Sequence, residues 1–454
     1  MTTPIEPQVK PQAPSIRHVF CRWIYSFLLS VLLPILLIVF RKKLHHQHEK
    51  LRTRRFVERF GILPKHFKPY GIHIHCVSVG EINAAKGLID NLLVAYPHLP
   101  ITITTSSVTG AVHASTVYQD RVQHCYLPID LSVFMRSFYG KLKPIMSVVT
   151  EVEVWPNMVN ECYKRDVSLI MINGRMTTRS LQNYKRVSWL FRGTLRQFAL
   201  ICAQNTESFD NFLAYGVYKR KLKLSRNMKF DLLPDDKDEA LGEHMRKVYQ
   251  LSEQPILVAA STHDPEEKLL LDMYKRLKQD ISDLVLIIVP RHPHRFDEVY
   301  QLVKANGYST QRVSDLKEGG TQIDNGLAKT ECIVVDKMGW LKACYSICSA
   351  AFIGGSFAPK GGHNALECAL YAKPMVMGPS IFNNPSICQH LAEQNALIIV
   401  DTPNTLYESL TYWLSNTEHA KLDGERGLKV LMRNAGAVEY TFSALRPFLP
   451  PSTH

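Results

Sequence analysis

Paired cysteine pairs are missing from this sequence. Its ten cysteines are scattered from Cys21 to Cys388. Cys344 and Cys348, the two nearest, have no second pair with which to build a metal site or a disulfide framework. Buried free thiols in a reducing compartment are the expectation. Zinc-finger spacing, an RNP-like aromatic-basic signature and an arginine-rich tail are lacking too, so no nucleic-acid partner is expected. There is no internal repeat and no low-complexity segment. Acid is in short supply: 41 Asp and Glu face 54 Lys and Arg, a formal net charge of +13. With nucleic acid set aside, that surplus suits anionic lipid or phosphorylated substrates.

What is present is enough for two large domains, at 454 residues with 46% hydrophobic and 21% charged side chains. The run Val19 to Phe40 is apolar except for Arg22, Ser26, Ser30 and Pro34. That is about the length needed to cross a bilayer's hydrocarbon core. No small-residue cleavage site follows, so the segment reads as a retained anchor and not a signal peptide. A basic flank does follow, with Arg41, Lys42, Lys43, Lys50, Arg52, Arg54 and Arg55. By the positive-inside rule this flank is cytoplasmic and the tail before Val19 lies outside, giving a single-pass anchor over residues 1–45. A helix lying in the membrane, or buried in the protein, is the alternative.

Short apolar runs then alternate with helix-like ones. Strands are predicted at residues 72–79, 101–105, 145–149, 167–172 and 199–203. A second series follows at 255–261, 283–290, 331–336, 349–355, 374–378 and 397–400. The proline and four acids of LLPDDKDEA (232–240) read as a linker. The pattern predicts α/β architecture, with two Rossmann-like doubly wound domains over 46–235 and 236–454, and ligands in a cleft outside the strand ends.

The strand ends carry the chemistry. Glu81 follows the first strand at a strand-to-helix turn, where it serves either as a reactive carboxylate or as an acid favoured by the helix dipole. TEVEVWPN (150–157) sets Glu151 and Glu153 on one face of extended chain. Arg175 and Arg179 follow another strand, and Lys229 precedes the linker. In the second half come STHDPEE (261–267), PRHPHR (290–295), DKMGW (336–340) and GGSFAPKGGHNALE (354–367). Together these loops suggest a mononucleotide site. Arg291 suits a phosphate. The backbone of Met338, Gly339 and Trp340 suits a base edge. The glycine-rich turn, at the mouth of a helix-like run ALECALYA, suits phosphate, and Glu367 suits the ribose.

SVGE, E-x-W-P-N, N-x-R-x-x-x-R-S, N-x-K-F-D, STH, PRHP, D-x-MG and GGS…GGHN-x-LE occur in one order from about residue 50 to 400. In this the chain resembles the 3-deoxy-D-manno-octulosonic acid (Kdo) transferases. The resemblance implies a GT-B glycosyltransferase on the inner face of the Gram-negative inner membrane, moving Kdo from CMP-Kdo to a lipid A precursor in lipopolysaccharide biosynthesis. It puts Glu81 on the general base, and Glu153 and Lys229 on residues that stabilise the transition state. Pro290 and Arg291, Met338, Gly339 and Trp340, and Asn364, Ala365, Leu366 and Glu367 fall on CMP-binding segments. Three positions depart from the family pattern: Trp340 where glutamate is usual, Arg226 where glycine is usual, and Ala365 in place of a common proline.

The expected reaction is inverting and independent of metal or other cofactor, CMP-Kdo being a substrate. The only D-x-D match, Asp236-Lys237-Asp238, lies in the expected linker. Inner-membrane lipids are the other expected partner. The alternatives are a GT-B transferase using a UDP-sugar, a nucleotide-sugar epimerase of the same fold, and a non-catalytic lipid-binding protein.

Overall fold

The computed structural model describes residues 13–45, 54–251, 253–315 and 329–451. Two compact units result, one of residues 1–231 with 435–454, the other of residues 232–434.

In the first unit seven parallel strands run β1 (Ile72–His75), β2 (Ile101–Thr105), β3 (Gln123–Tyr126), β4 (Met146–Thr150), β5 (Ser168–Gly174), β6 (Leu200–Ala203) and β7 (Leu222–Leu224). Their order across the sheet is β3-β2-β1-β4-β5-β6-β7. Every residue of β1, β2 and β4 is buried, because helices cover both faces. The order reverses direction between β1 and β4. Ligands of such sheets bind beyond the strand ends at that reversal, and Glu81 follows β1 while Glu151 and Glu153 follow β4.

The second unit repeats the plan. Its strands are β8 (Ile256–Thr262), β9 (Val285–Pro290), β10 (Thr310–Arg312), β11 (Cys332–Val334), β12 (Ala350–Ile353), β13 (Met375–Met377) and β14 (Ile398–Ile399). They run β10-β11-β9-β8-β12-β13-β14, so the reversal lies between β8 and β12. The STH loop and the glycine-rich turn flank it.

Three expectations are corrected. Residues 435–454, expected in the second domain, belong to the first unit. There Ala437, Phe442 and Leu445 join the core around Ile82 and Leu88. The Asp231 carboxylate fastens the return by accepting from the N–H groups of Gly436 and Val438. The acid-rich linker is short, because a helix begins at Asp236 and runs to Val248, capped by the Asp235 side chain. The helix expected from ALECALYA is four residues, Leu366–Ala369. Ala372 lies at φ +51° and Pro374 bars helix geometry at the residue before it, so the chain turns into β13.

The apolar N-terminal run forms α1 (Ile16–His45), and Ile16–Ile35 is long and apolar enough to cross a membrane. Residues 46–53 of the basic flank lie outside the described residues. The chain resumes in α2 (Arg54–Glu58). The first half of α1 rests on the first unit. The Arg22 guanidinium donates to Asn157 Oδ1 at 2.9 Å, and Asn157 Nδ2 donates to Ser26 Oγ at 3.0 Å. His18 Nε2 lies 3.1 Å from Gln197 Nε2. Gly193 permits this approach, since a Cβ there would stand 2.3 Å from the His18 ring.

Candidate active site

Beyond β1 the chain enters α3 (Val79–Ala95), with Ser78 at its N-cap and Glu81 in its first turn. Ser78 makes no capping bond. Glu81 instead reaches back, its Oε2 accepting from Val77 N at 2.8 Å and from the Thr150 hydroxyl. Among the described residues its Oε1 has only Ser78 Oγ, at a long 3.4 Å. One carboxylate oxygen is thus held and the other is available. Burial pushes this carboxyl above the ordinary glutamate range, opposed by the Thr150 and Val77 hydrogen bonds, while nearby Glu151 pushes the same way as burial. The result is a positioned carboxylate whose proton affinity is raised.

Glu153 lies near it. Its Oε2 accepts from Trp155 Nε1 at 2.6 Å and lies 3.7 Å from Nε2 of the fully buried His75. Glu151, at φ +54°, pairs its Oε1 with Lys229 Nζ at 3.3 Å. Lys229 comes from a single 3₁₀ turn, Met228–Phe230, pinned by Asn227 Oδ1 on Lys229 N at 3.0 Å and by Asn173 Oδ1 on Met228 N at 3.1 Å. Arg226, which departs from the family pattern, precedes this turn. Its φ of +67° is the left-handed conformation that glycine adopts freely, and the arginine holds it while donating to Ala435 O at 2.9 Å. Glu81, Glu151, Glu153 and Lys229 therefore gather at the reversal of the first sheet. Arg175 is half-buried after β5, whereas Arg179 is exposed on the helix Thr178–Arg186.

In the second unit the glycine-rich turn proves to be organised from inside. Glu266, fully buried, accepts from the N–H groups of Gly355 (2.8 Å), Ser356 (2.9 Å), Phe357 (2.9 Å) and Ala358 (3.2 Å), as well as His263 (3.0 Å). These donors were expected to face a phosphate, and a carboxylate of the protein itself occupies them. Further on, Gly361 N donates to Ser380 Oγ and His363 N to Gly354 O. Among the described residues no group takes the N–H of Asn364 or Ala365. The turn's free donors lie at its far end.

Glu367 sits beside them, its Oε1 accepting from Asn364 Nδ2 at 3.2 Å. Burial raises its pKa, countered by Asn364, Lys342 and Arg291. Arg291 is exposed just past buried Pro290, with its own N–H on Thr262 O at 3.0 Å. His263 and His363 stack with their Nε2 atoms 2.8 Å apart, so one donates to the other and the pair is neutral. Burial, with Arg291 and the neighbouring imidazoles, lowers His363 to about 3; burial, His292, Lys360 and Arg291 lower His263 to about 4. The Met338–Trp340 turn is separate in character. Gly339 stands at φ +88°, Met338 is 62% exposed, and half-buried Trp340 occupies the N-cap of the helix Leu341–Ile347.

Thr150, His75 and Glu266 are the positions that sequence reasoning did not single out. STHDPEE drew notice as a ligand loop, with no sign that Glu266 faces inward.

Residues 54–232 match the family model for 3-deoxy-D-manno-octulosonic-acid transferase. The 3-deoxy-D-manno-octulosonic acid transferase of Haemophilus influenzae is 33% identical, covering 94% of this chain and 99% of that one. Among solved structures, the C-terminal CMP-Kdo binding domain of WaaA from Acinetobacter baumannii is 30% identical and covers 44% of this chain and 100% of that chain, with a TM-score of 0.40. UDP-GlcNAc 2-epimerase from Neisseria meningitidis, bound to UDP-GlcNAc, is 11% identical over 80% of this chain and 99% of its own, with a TM-score of 0.53, a likeness of fold alone. Two parallel doubly wound units of this kind are the GT-B architecture. The extent of the Haemophilus match decides the family: this chain is a glycosyltransferase and belongs to the Kdo transferases of lipopolysaccharide biosynthesis.

Proposed function

We propose that the chain transfers Kdo from CMP-Kdo to a lipid A precursor, with inversion and without a metal, at the cytoplasmic face of the inner membrane. The observation that carries this reading is Glu81, a half-buried carboxylate with one oxygen anchored and the other open. It takes the proton of an acceptor hydroxyl as that oxygen bonds to the anomeric carbon of Kdo. The bond from that carbon to the CMP phosphate breaks, and its electron pair leaves with CMP. Positive charge grows on the sugar and negative charge on the phosphate. Glu153 and Lys229 of the first unit are the fixed charges that stabilise this separation in place of a metal, and Arg291 suits the donor phosphate. Pro290, the Met338–Trp340 turn and residues 364–367 hold the nucleotide, with Glu367 on the ribose diol. Exposed Arg179 and half-buried Arg175 suit the phosphates of the lipid acceptor, and α1 supplies the membrane attachment.

The test is to incubate the full chain with CMP-Kdo and a tetraacylated lipid A precursor and to weigh the lipid. A mass gain of Kdo is expected, with CMP inhibiting and UDP inhibiting far less. Transfer from a UDP-sugar alone would overturn the donor assignment.

A further inference from the structure

We propose that α1 lies in the plane of the membrane, as a lipid-facing ridge of the first unit, and does not cross the bilayer. This rests on the membrane attachment above and adds its orientation.

Two faces of α1 are distinct. His18, Arg22 and Ser26, one helical turn apart, face the protein, where Arg22 is buried against Asn157 and Ser132. Asp130 accepts from the N–H groups of Asn157 and Met158 and fixes the turn on which Arg22 and Ser26 rest. On the other side Phe20, Trp23, Phe27, Leu28, Val31 and Ile35 are all at least half exposed. An apolar stripe of that extent marks a surface that meets another apolar phase.

Topology then decides between crossing and lying flat. The N-terminal half is docked on the first unit. The other end is tied to the same unit by the chain, which leaves α1 at His45 and starts α2 at Arg54. Nine residue steps reach at most about 32 Å when fully extended. Suppose α1 crossed with its first half outside. Arg22 and Ser26 would then be separated by the bilayer from Asn157, their partner in a unit on the inner side. Suppose it crossed the other way. The charges Glu49, Lys50 and Arg52 would then have to return through a hydrocarbon core about 30 Å thick, where ionised side chains are costly. Both ends of α1 therefore lie on one side.

The occupant of the apolar stripe is anionic bilayer and not a second copy. Arg41, Lys42, Lys43, Lys50, Arg52, Arg54 and Arg55 follow the stripe in sequence. Such a cluster is attracted to acidic headgroups and repels its own image. Asn157, which holds Arg22 and Ser26, closes the same E-x-W-P-N turn that carries Glu153. Seating α1 in the membrane thereby sets the height of the acceptor-side carboxylates above the lipid.

The experiment uses the full chain carrying Thr3→Cys, in spheroplasts treated with a membrane-impermeant maleimide. All ten native cysteines are buried, so the unsubstituted chain gives the background. In-plane seating leaves Cys-substituted position 3 unlabelled until the inner membrane is lysed, when labelling rises many-fold. Labelling in intact spheroplasts overturns the proposal. Flotation of the purified chain with phosphatidylethanolamine–phosphatidylglycerol vesicles reports separately on attachment. It should bind them, and a chain that stays in solution as a stable dimer would assign the stripe to a second copy and overturn both readings.

Discussion

Glu81 and Glu266 hold corresponding places in the two units. Each follows the first strand of its sheet, and each accepts an N–H from a residue just past that strand, Val77 for Glu81 at 2.8 Å and His263 for Glu266 at 3.0 Å. There the likeness stops. Glu266 takes four further backbone donors and has no access to solvent. Glu81 takes one hydroxyl on the same oxygen and leaves the other oxygen nearly free. A carboxylate whose lone pairs are filled by fixed backbone is a structural brace. One that is anchored by half and partly desolvated can accept a proton. The number and direction of donors separate the two, and position in the fold does not.

The sharpest way to break this comparison is Glu81→Gln. Loss of the base should lower turnover about 10²–10⁴-fold. CMP affinity should hold, and stability should fall by at most about 1 kcal/mol, the size of a helix-terminal charge effect. Because burial raises Glu81, the acid limb of kcat/KM should lie above the pH at which an ordinary glutamate ionises. The sign for stability is opposite to that of a salt-bridged acid. The folded chain binds this proton more tightly than the unfolded chain, so its contribution is present at low pH and is lost as pH rises through the raised value. Near-normal turnover by folded Glu81→Gln protein would transfer the role to Glu153.

Glu266→Ala should act in the reverse manner. Several buried N–H groups lose their acceptor at roughly 1–3 kcal/mol each, so urea unfolding should show a loss above about 3 kcal/mol. Glu266→Gln keeps one carbonyl oxygen and should fall between the two. A stable Glu266→Ala chain that lost transfer alone would show that Glu266 is no brace.

Glu367→Ala is expected to weaken CMP binding about ten-fold or more, since a hydrogen bond to a charged group contributes roughly 1.5–3 kcal/mol. Calorimetry with CMP measures it, and an unchanged affinity would move the ribose elsewhere. The smallest effect belongs to Arg226→Gly. Relief of left-handed strain and loss of the Ala435 hydrogen bond are each about 1 kcal/mol and opposed, so the melting temperature should barely move. A shift of many degrees in either direction would show that one of the two effects is absent.

Central strands such as LIIV of β9 and AAFI of β12 were legible as continuous apolar runs, the mark of buried parallel strands, and β1 and β2 as alternating β-branched ones. The edge strands β3, β7 and β10 were not. QHCY, LKL and TQR are short and partly exposed, so their sequences carry no apolar run. The site divided in the same way. Glu81, Glu153, Lys229, Arg291 and Glu367 stand at strand ends or next to turns, where local pattern points to them. Thr150 on Glu81, and Glu266 beneath a turn some ninety residues away, are contacts between distant segments.

By itself the sequence determined the central strands of both sheets, the candidate loops and the family, because strand pattern and ordered short motifs are local properties of the chain. Tertiary structure alone decided which donors of the glycine-rich turn stay free and that residues 435–454 return to the first unit. It also decided that the apolar helix is docked by a buried arginine. Each of these depends on which distant polar groups fill one another's hydrogen-bonding sites, and no local pattern encodes that.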